Sequence, residues 1–319
     1  MAFDTHQAIY YEQERCQPTA TTENTFFAVP CPESLWSATT SQEWFALIHS
    51  SDCVAVPFRH PEALAYETLG QLPLPTRYLA LTSLLAALPV WDRRRVPNPD
   101  PNAQFFIDQI HNLFDNFMPA HAHLALYHTP LRQLLALTGE SWVLGKKITS
   151  HSDFEAMKPV IRSWTVSQFG ELATWYACNF LRDCFSEDYG ATRPFHHISD
   201  YWSIYTCTLI VWAFGQRHST VLPSSGNSVA SASRRTSSLT LRGSEDAAEV
   251  LKLALFWIDT VISRGPKQLG SLPILTDAAV VVEAARIKLA PNKFSQPPAL
   301  LLDACNVLDK LREQGSRLF

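Results

Sequence analysis

The stretch "WTVSQFGELATWYACNFLRDC", Trp164 to Cys184, decides how this chain is read. Leu172, Trp175 and Tyr176 recur at spacings of one, three and four residues. With Ile161 and Trp164 before them they trace one face of a helix. The spacing predicts a single long helix ending near Ser186. Downstream, Trp202, Tyr205, Leu209, Trp212 and Ala213 mark a second helix with a large aromatic stripe. Such a stripe at spacings of three and four is the mark of a packed core rather than of a cofactor box.

The same periodicity extends to both sides. Thr40 followed three residues later by Glu43 reads as a capping box opening a helix. Val54 to Pro75 is a proline-broken connector. Tyr78, Leu81, Leu85 and Leu88 share a helical face that stops at Pro89, where "DRRRVPNPDPN" forms an exposed junction. Asn102 to Met118 is the next helical candidate. Toward the C-terminus, Val250, Ala254, Trp257, Ile258 and Val261 form one stripe, Asp277 to Leu289 a shorter helix, and Leu300, Ala304, Val307, Leu308 and Leu311 a last one. Strand-like alternation bounded by hairpin turns is absent. The expectation is an all-α protein, an irregular multi-helix array forming a single helical domain over residues 1–319. One segment interrupts it. Ser219 to Asp246 is rich in serine and poor in large apolar residues, so it reads as a long, mobile, disordered loop before the terminal helices and the first internal target of a protease.

Composition limits the function classes. The chain has 319 residues and is 46% hydrophobic, enough for a full core. Charged residues are 18% and the formal net charge is −4, so no overall basic field draws it to nucleic acid. The longest apolar run, Ser203 to Phe214, is well short of the ~20 residues a bilayer span needs. The first residues lack the pattern of a secretory leader, so the expected compartment is intracellular. Seven cysteines, Cys16, Cys31, Cys53, Cys178, Cys184, Cys207 and Cys305, are spread without a C-x-x-C, which fits buried reduced thiols rather than a disulfide framework or a zinc module.

Several stretches invite a chemical reading. "GESWVLGKK" has two glycines and two lysines, yet one residue too many separates Gly139 from Gly145, and Lys147 follows Lys146 where a nucleotide-binding loop needs Ser or Thr. The stretch reads as a helix closed by Gly139 and followed by an aromatic turn, with no ATP or GTP hydrolysis expected. "DNFMP" at Asp115 lacks the second carboxylate that a diphosphate-binding magnesium site requires. His196 and Asp200 suit an acyltransferase base on spacing alone; a helix opening with Ser199 or Asp200 as N-cap accounts for them better. His121, His123 and His128 offer imidazoles, but His121 and His123 point to different sides of a helix and no carboxylate or thiolate stands at ligand spacing. No catalytic, metal-binding, cofactor-binding or DNA-binding residue is therefore assigned. Arg93 to Arg95 reads as a solvated helix end. Arg234 and Arg235 precede Ser237 at the spacing used by basic-directed kinases, making Ser237 a candidate phosphorylation site, with an unmodified solvated loop as the competing reading.

"PCPESLWSATTSQEWFAL" (Pro30 to Leu47), "LTGESWVLGKKI" (Leu137 to Ile148), the opening stretch, "DYWSIYTCTLIVWAFGQR" (Asp200 to Arg217) and "LLDACNVLDKL" (Leu301 to Leu311) together resemble the regulatory region of fungal-specific transcription factors. The resemblance runs from "FDTHQA" to the last helix and rests on packing signatures. It implies a helical effector region acting in the nucleus on RNA polymerase II genes, with the transcription machinery or a related regulator, as a dimer, for partner. It also implies Trp142 as a core residue. In that family zinc sits in an N-terminal DNA-binding module whose cysteine spacing does not occur here. Zinc and specific DNA binding are thus expected of a missing module and not of this chain, which would be a truncated reading of the gene or a standalone relative. The alternatives are a helical enzyme or accessory protein of a fungal biosynthetic pathway, and an interaction protein that dimerises with a full-length relative.

Overall fold

The computed structural model describes residues 40–43, 46, 74–86, 88–89, 101–138, 142–143, 146–147, 150–186, 198–217, 244–271, 278–290 and 299–314. The protein is all-α. Its helices are α1 (Leu74–Ala86), α2 (Pro101–Leu113), α3 (Met118–Tyr127), α4 (Leu131–Leu137), α5 (His151–Thr165), α6 (Gln168–Phe185), α7 (Ile198–Gln216), α8 (Ser244–Arg264), α9 (Ala278–Lys288) and α10 (Ala299–Gln314), with a 3-10 segment at Pro266–Ser271. Residues 41–43 are also helical, and the Glu43 amide donates to Thr40 Oγ1 at 3.1 Å, as the capping box requires. One short ladder accompanies the helices. Trp142–Val143 (β1) and Lys146–Lys147 (β2) pair antiparallel, Trp142 opposite Lys147. Two residues per strand leave no room for the alternation by which a strand is recognised in sequence.

The described residues fall into two compact units divided between His123 and Leu124, inside α3. In the first unit α1 packs on α2. Leu81, Leu84 and Leu85 of α1, with Leu88 just past its end, and Ala103, Ile107 and Ile110 of α2, with Phe114 just past its end, are buried at helical spacing. Phe117 sits edge-on to Tyr78 at 5.1 Å and beside Phe114 at 5.8 Å. The helix expected over Asn102 to Met118 ends at Leu113, and α3 begins at Met118. Pro119 keeps the two helices from running on as one: it has no N–H for the carbonyl four residues back, that of Asp115, and it is tolerated in the first turn of α3, where no such bond is needed.

The second unit is built on four helices in a ring, α6 against α7, α7 against α9, α9 against α8, and α8 against α6. α5 leans on α4 and α6, and α10 covers α9. The single long helix expected through Ile161 and Tyr176 is in fact two, broken at Val166 and Ser167. Ser167 is extended (φ −92°, ψ 161°), and its hydroxyl oxygen accepts from the Gly170 amide at 3.3 Å while its O–H donates to the Trp164 carbonyl at 2.7 Å. A hydroxyl that caps the next helix and binds the previous one makes the corner. The break keeps the apolar face in phase, so Ile161, Trp164, Ala173 and Tyr176 are all buried.

α7 is buried on every side from Ser203 to Phe214. It starts at Ile198, so Ser199 and Asp200 lie inside its first turn rather than at the N-cap, Asp200 placing negative charge at the positive end of the helix dipole. α8 starts at Ser244, which takes the last three residues of the expected loop into the helix. The helix stops at Gly265, whose φ of 70° and amide bond to the Ile262 carbonyl at 3.0 Å form a left-handed cap. The rest of the serine-rich segment lies outside the described residues.

Candidate functional site

The stretch that suggested a nucleotide loop contains α4, capped at Thr138, and the β1–β2 ladder. The helix ends directly before Gly139. Gly139, Gly145 and the side chains of Trp142, Lys146 and Lys147 lie outside what the structure describes. So do Arg93 to Arg95, His196, Arg234, Arg235 and Ser237.

The histidines separate into different environments. His128 is fully enclosed, its ring stacked on Tyr176 at 6.0 Å and an interplanar angle of 5°, and tilted against Phe169 at 5.8 Å. Its backbone carbonyl accepts from Trp164 Nε1 at 2.8 Å. Neither ring nitrogen has a hydrogen-bond partner among the described residues, and burial lowers its pKa to about 3. It is a neutral core ring at physiological pH, unsuited to proton transfer there.

His121 is different. It lies in the first turn of α3 and is 6% exposed. Together with His111 in the last turn of α2 and Asp115 in the intervening turn, it forms a cluster whose ligand-capable atoms all lie within 4.8 Å of one another. His111 is half-buried and Asp115 exposed. Here the structure departs from the sequence reading, which found no carboxylate at ligand spacing. That search followed one helical face, whereas the donors converge across a helix-turn-helix corner as H-x3-D-x5-H. His111 was missed altogether: it stands four residues before Asp115, a spacing that puts both on one helical face, while only the break before Pro119 brings His121 to them. His123 is buried and does not join the cluster.

Cys178, Cys184, Cys207 and Cys305 are buried free thiols, as expected. Burial pushes all four up from the ordinary thiol value, so they remain protonated and poor nucleophiles at neutral pH. Among the described residues no helix is long and apolar enough to cross a membrane.

Compared with family models, curated proteins and solved structures, the chain matches none.

Proposed function

We propose that this chain is the regulatory region of a fungal-specific transcription factor, working in the nucleus through protein partners to control RNA polymerase II genes, with DNA recognition supplied by a zinc module outside the sequence given. The observation that carries the reading is the placement of two of its family-like stretches. Trp164 to Cys184 supplies α6 with its corner, and Asp200 to Arg217 supplies α7; these two helices pack directly on each other at the heart of the second unit. Motifs that resemble a family through packing signatures belong in such a place, because buried residues with specific neighbours constrain sequence most tightly. The resemblance itself extends the reading to a partner, the transcription machinery or a related regulator, and to genes of secondary metabolism.

The test is a tethering experiment. The 319-residue chain, fused to an unrelated DNA-binding domain, should raise or lower a reporter carrying that domain's operator in a filamentous fungus, and Trp212→Ala should abolish the effect. A fusion that is stable, nuclear and without influence on the reporter would refute the proposal. A second reading, a helical enzyme or accessory protein of a biosynthetic pathway, is favoured by one observation, the convergence of His111, Asp115 and His121.

A further inference from the structure

We infer that the α2–α3 corner is a divalent-metal site in which His111, Asp115 and His121 bind one zinc-class ion, with water in the fourth position. The ligand-capable atoms of the three residues lie within 4.8 Å of one another. A tetrahedral ion with bonds of about 2.0–2.2 Å holds its donors about 3.3 Å apart, so binding requires the half-buried His111 and exposed Asp115 side chains to rotate toward His121. Two imidazoles and a carboxylate, with no thiolate, suit zinc, cobalt or copper rather than the all-oxygen shells of calcium and magnesium.

The corner is built to hold those donors still. Phe114 and Phe117, the residues on either side of Asp115 and Asn116, are both buried, and the Phe117 amide closes the turn onto the Phe114 carbonyl at 2.9 Å. Phe117 is further fixed by Tyr78 from α1 and by the Arg77 guanidinium 5.3 Å from its ring centre. The turn therefore projects Asp115 outward between two anchored aromatic rings, and α2 and α3 deliver a histidine from either side. Both His121 ring nitrogens and His111 Nδ1 are shielded from bulk solvent, so a bound ion would be protected on the protein side and open toward Asp115. Three protein donors with one open position are the arrangement of exchangeable zinc sites, in contrast to closed four-ligand structural sites. The ion would tie the last turn of α2 to the first turn of α3, stabilising the folded corner by mass action. This inference stands apart from the regulatory role proposed above, since either could hold without the other.

The experiment uses the full 319-residue chain, stripped with chelator, titrated with zinc by calorimetry and with cobalt by visible absorption. The expected result is one zinc per chain at the corner and a four-coordinate cobalt spectrum without thiolate charge-transfer bands. Asp115→Asn and His111→Ala should each weaken binding by about tenfold or more, at least the loss that disturbing an outer-shell partner brings. His151→Ala, which removes an exposed histidine on α5, should leave it unchanged. Circular dichroism establishes that each variant is folded; should His111→Ala not fold, the exposed Asp115→Asn decides alone. Failure to bind zinc, binding that Asp115→Asn leaves intact, or a thiolate-dominated cobalt spectrum would each overturn the site.

Discussion

α7 and α8 are of nearly equal length, 19 and 21 residues, and both carry tryptophan-containing stripes, yet they sit in the fold in opposite ways. α8 is two-faced. Val250, Ala254, Trp257, Ile258 and Val261 are buried, while Lys252, Leu253 and Phe256 face solvent. α7 has no solvent face between Ser203 and Phe214, and its polar residues are buried along with the rest. They are accommodated inside the helix itself: Thr206 Oγ1 donates to the Trp202 carbonyl at 2.8 Å and Thr208 Oγ1 to the Ile204 carbonyl at 2.7 Å. A hydroxyl satisfied by its own helix carries little burial cost, so Thr can interrupt an apolar pattern without marking the surface. Periodicity describes α8 well and understates α7.

The comparison breaks first at Trp212. This side chain, 2% exposed in the middle of α7, should cost about 3–5 kcal/mol when changed to alanine, the usual loss for a buried aromatic. Urea unfolding of wild type and Trp212→Ala measures it. A loss below about 1 kcal/mol would mean that α7 is not enclosed in solution.

A second effect belongs to His128, buried in the same unit without hydrogen-bond partners for its ring among the described residues. Its folded pKa of about 3 lies below the ordinary histidine value of 6.5. The unfolded chain therefore binds the extra proton between these values, and stability falls as pH drops from about 6.5 toward 3, by about 1.4 kcal/mol per pH unit. His128→Phe keeps an aromatic ring against Tyr176 and has nothing to titrate. Between pH 6.5 and 4.5 the variant should gain about 2–3 kcal/mol relative to wild type, read from urea midpoints at each pH. Parallel acid sensitivity in both proteins would show that this ring does not control the acid response.

The cap of α8 sharpens the contrast further. Gly265 has φ 70°, and a Cβ built there meets nothing within 4 Å. Gly265→Ala therefore incurs only the backbone cost of a left-handed residue, about 1 kcal/mol. Gly265→Asn should cost less, since asparagine tolerates that conformation. Gly170 in α6 presents a different constraint. A Cβ there would run into the Trp164 carbonyl oxygen, so its role is close approach at the α5–α6 corner. Equal costs for Gly265→Ala and Gly265→Asn would point to a steric role at the α8 cap as well.

The all-α class and most inward faces were legible because Leu81, Leu85, Trp257 and Leu308 follow the helical period that burial imposes. Two kinds of feature were not. Helix breaks at Val166–Ser167 and before Pro119 interrupt the chain without disturbing the apolar phase, so periodicity runs through them unmarked. The His111, Asp115 and His121 cluster depends on the second of these breaks. Its donors lie on two helices and a turn; the four-residue spacing of His111 and Asp115 is visible along one helix, but that of His121 is not. The stripes of α6 and α7, by contrast, mark residues fixed by packing rather than chemistry, which is why they pointed to a fold but to no catalytic residue.

The smallest effect is expected at Phe256, on the outer face of α8, where an aromatic ring is 74% exposed. An exposed ring gives up little contact when it is shortened. Phe256→Ser also exchanges two residues of similar helix propensity, and the Thr260 hydroxyl that donates to the Phe256 carbonyl at 2.8 Å uses only the backbone. Stability should therefore stay within about 0.5 kcal/mol of wild type, with the thermal midpoint essentially unmoved. The same urea experiment that registers Trp212→Ala decides this one, so the two substitutions measure an enclosed and an open helix face on one scale. A loss above about 1 kcal/mol at Phe256 would mean that the outer face of α8 is covered in solution, and α8 would then have to be regarded, like α7, as a helix enclosed on all sides.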